Sequence, residues 1–237
     1  MKLIRWLPFA TAVVAGIMLL VAGLGVRAEL WTFRVGFDLL RAAVYTGTGA
    51  AIGAVLFLLI PRIRAGNVVA LLVAIPIGLG AAYVPWQWKQ QAGSVPPIHD
   101  ITTDTDNPPA FVAIAPLRAA APNGVAYGGP DVAAAQRKAY PDIAPVTLPV
   151  PPPEAWNRVL RAVKQTGWDV VEIDEKSGRI EATDTTTWFG FKDDVVIRVS
   201  AAPGGSRIDV RSVSRVGRND IGTNAKRVRA FLSNFAQ

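Results

Sequence analysis

The chain has 237 residues, 51% of them hydrophobic, a formal net charge of +7 and no cysteine. The missing thiols exclude disulfides, thiolate metal sites and a cysteine nucleophile. The charge does not argue for a nucleic-acid partner: up to Lys89, eight Lys and Arg face only Glu29 and Asp38, whereas the remaining 17 basic and 16 acidic residues nearly cancel.

Three apolar segments, Leu7 to Val26, Ala42 to Ile60 and Val68 to Trp86, are each near the ~20 residues that an α-helix needs to cross a bilayer. None contains Asp, Glu, Lys, Arg or His, so there is no relay or ion ligand on which to build a transporter, and the spans read as an anchor. Pro76, Gly78, Gly80 and Pro85 in the third span read as packing or a kink. Gly47, Gly49 and Gly53 in the second read as close helix contacts, within the bundle or between copies in a homo-oligomer.

Lys2, Arg5, Arg62 and Arg64 flank one side of the spans; Arg27, Arg34, Arg41 and Lys89 flank the other. The first helix usually dominates such a balance, which places the amino terminus in the cytoplasm and the chain after Lys89 on the far side of the membrane. Taking Val26-Arg27-Ala28 as the end of a cleaved signal leaves the domain on the same side. Trp86, Trp88 and Lys89 read as an interfacial belt there.

Thirteen of the 18 prolines fall between Pro96 and Pro153, so residues 90–152 read as a linker or arm between a membrane domain, 1–89, and a soluble domain, 153–237. Phe111, Val112, Ile114, Tyr127 and Tyr140 punctuate this stretch and favour an arm wrapped on the domain over a free tether. Beyond it, Trp156, Val159, Leu160 and Val163 predict a helix over 154–166. Four strands follow at 168–174, 179–188, 194–201 and 207–214, and a last helix at 224–235. The fold class is therefore three transmembrane α-helices followed by a two-layer α+β domain: helix, four-stranded antiparallel meander, helix, with both helices on one sheet face and a Pro-rich wrapped arm. Glu181, Thr183, Thr185 and Thr187, and Arg207, Asp209 and Arg211, recur at period two and predict a charged, solvated opposite face. At one hairpin tip, Trp188-Phe189-Gly190-Phe191 fits either insertion into a bilayer or partner, or packing inside the protein.

Two polar segments remain, His99-Asp100-Ile101-Thr102-Thr103-Asp104-Thr105-Asp106 and Ser214-Arg215-Val216-Gly217-Arg218-Asn219-Asp220-Ile221-Gly222-Thr223-Asn224, the latter running on into Ala225-Lys226-Arg227-Val228-Arg229-Ala230-Phe231. From about Pro96 onward these resemble the signature segments of a bacterial and plastid family catalogued as domain of unknown function 1499. Many of its members carry a Pro-Asn-Cys-Val-Ser-Ser-like stretch where this chain has Thr102 to Pro108, so no role of that cysteine transfers. Some look like lipoproteins or lumenal proteins, which implies an extracytoplasmic domain; the resemblance supplies no activity.

Asp100, Asp104 and Asp106 alternate as oxygen ligands for a hard cation would, but the Gly and terminal Glu of a calcium loop are missing, and turns around Pro108 account for the same residues. His99 and Thr102 have no nucleophile or base at a recognised spacing. No metal or cofactor is expected. Arg215 and Arg218, followed by Asn219, Asp220 and a helix start, are the best anion-contact candidates; the competing reading has Asp220 or Thr223 capping that helix while the arginines pair with Asp193, Asp194 or the Asp100 to Asp106 run. The sequence thus favours a non-enzymatic, membrane-anchored envelope module whose partners are the bilayer and an anionic lipid or envelope protein. A hydrolase acting on phosphate-bearing or envelope substrates through His99, Asp100 or Asp104, or an accessory subunit of a membrane complex, are the alternatives.

Overall fold

The computed structural model describes Leu3 to Phe235; Met1, Lys2, Ala236 and Gln237 lie outside the described residues, and with them the flanking cation Lys2. The chain divides into two units, Met1–Gln91 with Thr187–Gly190, and Ala92–Thr186 with Phe191–Gln237.

The first unit contains α1 (Leu7–Arg27), α2 (Phe33–Leu59), the short α3 (Pro61–Arg64) and most of α4 (Val68–Ser94). α1, α2 and α4 are long and apolar enough to cross a membrane. α2 begins at Phe33 and α4 ends at Ser94, both beyond their apolar runs, because the backbone ladder continues into polar turns; there Asp38 and Arg41 form an exposed pair at 3.4 Å. α4 stays one helix through Pro76 and Pro85. Ala12, Ala50, Ala54, Leu71 and Ala74 build the interior. Small residues let backbones approach: a Cβ on Gly47 would stand 2.5 Å from the Gly78 carbonyl, so this crossing needs glycine on both helices. Gly49, by contrast, has nothing within 4 Å.

Thr187–Gly190 completes this unit. Phe189 is 2% exposed, with its ring centroid 5.6 Å from that of Phe37 and 5.8 Å from that of Trp88. The Trp188 indole donates to the Leu20 carbonyl at 3.2 Å, and a side chain on Gly23 would overlap that indole.

The second unit contains β1 (Asp100–Thr102), α5 (Ile114–Leu117), α6 (Gly129–Ala139), β2 (Val146–Leu148), α7 (Pro152–Thr166), β3 (Asp169–Asp174), β4 (Arg179–Thr185), β5 (Lys192–Ala202), β6 (Gly205–Ser214) and α8 (Thr223–Leu232). The helix, meander, helix order is as the periodicity predicts, but the antiparallel sheet has six strands rather than four. The extra two come from the Pro-rich arm, which is wrapped as expected: β1 pairs with β6 over Arg211–Val213 and β2 pairs with it over Ser206–Ile208, so both lie along its outer edge. In the gap between them Thr103 donates its backbone N–H to the Val210 carbonyl, and its hydroxyl accepts from the Val210 N–H, each at 2.9 Å.

α7 and α8 cover one face. Trp156, Val159, Val163, Val228 and Phe231 pack there against Ile180, Val195, Ile197, Ile208 and Val210, each such side chain contributing about 1.5–3 kcal/mol on burial. The opposite face is not the solvated surface that its charges suggest. The arm lies over it, Phe111 and Ile114 packing on Val196 and Val213.

Candidate functional site

The charges beneath the arm are paired one by one. Glu181 is fully buried and accepts the N–H groups of Val112, Ala113 and Ile114 at 2.7, 3.2 and 2.8 Å, which fixes the start of α5 on the sheet. Asp194, also fully buried, takes Nε and Nη2 of Arg215 at 2.9 and 2.8 Å, the Thr183 hydroxyl at 2.8 Å and Nη1 of Arg118 at 3.1 Å. Burial lowers the Arg118 pKa below the usual guanidinium value, while Asp194 opposes that shift. Asp209 is held by Arg198 and Arg207. These are charge-assisted bonds with little water to compete, the setting in which a buried ion pair keeps its geometry.

The three aspartates of the first signature segment go to different arginines. Asp100 forms a two-point pair with Arg211 at 2.9 and 2.7 Å. Asp104 meets Arg207 and Arg198 at 2.7 and 3.3 Å through Oδ2, and accepts the Asp106 and Asn107 N–H groups through Oδ1, an Asx turn. Asp106 is exposed and pairs with Arg137 at 3.2 Å. Thr102 turns its hydroxyl to the Asp104 carbonyl at 3.2 Å. His99 acts through its carbonyl, which receives the Ser214 N–H and the Asn224 amide at 3.0 Å each; among the described residues its imidazole makes no hydrogen bond. The aspartates therefore do not converge on one point, and among the described residues none hydrogen-bonds the His99 imidazole as a catalytic partner would need to.

In the second segment nearly every polar group serves the fold. Asn219 donates to the Ala92 carbonyl in the last turn of α4, at 2.9 Å. Asp220 accepts the Gly222 and Asn224 N–H groups at 2.9 and 2.7 Å and so caps α8; Ile221 and Gly222 hold positive φ of 56° and 75° to let it do so. The helix terminus that would attract an outside anion thus already holds a carboxylate. Burial raises the Asp220 pKa above the ordinary 3.8, the Asn224 and Gly222 N–H groups opposing it. Asn224, fully buried, joins Ser212, Ser214 and Arg227, and Arg227 continues to Asp193 and Asp184 at 2.7 and 2.8 Å. Arg218 is the exception: it is exposed and, among the described residues, makes no hydrogen bond or ion pair.

The Arg215–Asp194 pair is one of those the sequence offered; Arg118, Glu181 and Arg227 were passed over as site-forming residues, although Asn224 and Arg227 stand at the three-residue spacing that makes helix neighbours. Gln136 on α6 was also missed. Its amide accepts the Thr102 N–H at 3.0 Å and donates to the Thr102 carbonyl at 2.6 Å, closing the outer edge of β1 as another strand would.

A membrane-helix segment joined to an α+β domain whose sheet is zipped to an arm by arginine–carboxylate pairs defines the class. Residues 100–235 match the family described as "Protein of unknown function (DUF1499)". The match covers more than half of the 237 residues, and the chain belongs to that family. Comparison with curated proteins gives no match.

Proposed function

We propose that the chain is a non-enzymatic binding or structural module of the bacterial cell envelope, anchored in the inner membrane by its three spans with the α+β domain on the periplasmic side. The flanking cations stand at four on each side, so the choice of side rests on the dominance of the first span, which opens after Lys2 and Arg5, and on the resemblance to the family, some of whose members look like lipoproteins or lumenal proteins. In this reading Arg218 is the contact residue, and its partner is an anionic lipid head group or an acidic envelope protein. The observation that carries the reading is the contrast within one segment: Arg215, Asn219, Asp220 and Asn224 all have partners inside the protein, whereas the Arg218 guanidinium is left to solvent. An acyl- or phosphoryl-transfer role has less support, because Asp100 and Asp104 are neutralised by arginines instead of facing a cleft. The outer face of α2 at Gly49 is the surface offered to a second copy.

Native mass spectrometry of the full chain released from nanodiscs containing phosphatidylglycerol tests the contact. Wild type and Arg218→Lys should retain this lipid and Arg218→Ala should lose it, while all three melt alike. Equal retention by Arg218→Ala would remove Arg218 from the reading.

A further inference from the structure

A cavity of about 340 Å³ opens on the second unit beside α7, within the range of about 300–1,000 Å³ typical of small-molecule sites. Arg158, Arg161, Ala162 and Gln165 stand at i, i+3, i+4 and i+7, one helix face, and all four line it. Leu148 of β2, and Asn234 and Phe235 of the terminal turn, complete the wall. Leu148, Ala162 and Phe235 are each nearly buried within the protein and present apolar surface. At the rim, Arg161 and Gln165 are exposed and, among the described residues, without a partner; Arg158 holds Glu154 through Nη2 only, in a surface pair of the kind that exchanges readily. The Asn234 amide donates to the Ala230 and Phe231 carbonyls, which leaves its oxygen unused. Among the described residues, no carboxylate lines the cavity. Two guanidinium groups beside an apolar floor complement a molecule with an apolar body and an anionic head.

We propose that this cavity binds an amphiphilic anion, a short acyl or alkyl chain ending in a carboxylate or phosphate, with the chain over Leu148, Ala162 and Phe235 and the head between Arg158 and Arg161. The volume corresponds to about eleven waters at ~30 Å³ each, room for a medium-length chain and not for a whole diacyl lipid. The site is separate from Arg218 and does not depend on the role given to that residue.

The test is calorimetric titration of the full chain in zwitterionic nanodiscs with decanoate, decyl phosphate, decanol and inorganic phosphate, empty nanodiscs providing the baseline. Saturable binding of decanoate or decyl phosphate is expected, and whichever binds more tightly identifies the head group. Decanol and inorganic phosphate should bind at least about tenfold more weakly, since each lacks one half of the recognition. Replacing Arg158 and Arg161 together by Ala should weaken binding about tenfold or more. Gln165→Trp, a change at an exposed position that fills the mouth, should block binding with unfolding unchanged. The proposal is overturned if decanol binds as well as decanoate, if the double variant and Gln165→Trp both bind as wild type, or if no heat exceeds that of empty nanodiscs.

Discussion

Arg215 grips Asp194 with two hydrogen bonds, Nε to Oδ2 at 2.9 Å and Nη2 to Oδ1 at 2.8 Å. Arg118 approaches the same carboxylate from the arm, so one aspartate joins β5, the segment after β6, and the cover over the sheet. Asp194→Ala leaves two guanidinium groups without their counter-charge, and Arg118 is 2% exposed. The expected loss is about 3–5 kcal/mol, read as a fall in the denaturation midpoint of the full chain. Arg218→Ala, three positions beyond Arg215, should stay within about 0.5 kcal/mol of wild type.

Gln136 makes a second test of how the arm is fixed. Gln136→Leu preserves bulk but removes both hydrogen bonds to Thr102, leaving a buried N–H and C=O unmatched. The expected cost is about 1–3 kcal/mol. Hydrogen exchange at the Thr102 amide should accelerate more than exchange in β4 and β5; a uniform change would mean that the whole unit had loosened.

Asp220 gives a pH dependence of defined sign. Burial raises its pKa in the folded protein above 3.8, so the folded state holds this proton more tightly than the unfolded state does. Its contribution to stability is complete below 3.8 and declines as pH rises through the raised value. The stability of wild type relative to Asp220→Asn should therefore fall as pH increases across that window. A difference that stays flat or grows with pH would show that the carboxyl is not held in the buried capping position.

In the first unit, Phe189 fills the space beside Gly36, where an added Cβ would stand 3.0 Å from its ring. Phe189→Ala should cost about 3–5 kcal/mol, measured by unfolding of the full chain in nanodiscs. Wild-type stability would mean that the aromatic tip does not pack within this unit.

The long elements were legible because each repeats its signal. Trp156, Val159 and Val163 mark a helix face, and Ile208 and Val210 alternate with Arg207, Asp209 and Arg211 along one strand. β1 and β2 were not legible: three residues inside a proline-rich stretch contain too little alternation, and what makes them strands is the free edge of β6, about a hundred residues downstream of β1. The burial of Glu181 was hidden for the same reason, since its partners Val112 to Ile114 are remote in sequence and contribute only backbone N–H groups. Two arginines three apart in a loop look alike on the page; only the fold shows that Arg215 meets Asp194 while Arg218 meets solvent.

The membrane-anchored, periplasmic reading is tested most directly by a single introduced thiol. Ser233 is exposed near the end of the chain, and the protein has no cysteine of its own. With Ser233→Cys in outer-membrane-permeabilised cells, a membrane-impermeant maleimide should label the protein before lysis to the extent seen after lysis. Labelling only after lysis would put the domain in the cytoplasm and contradict the account.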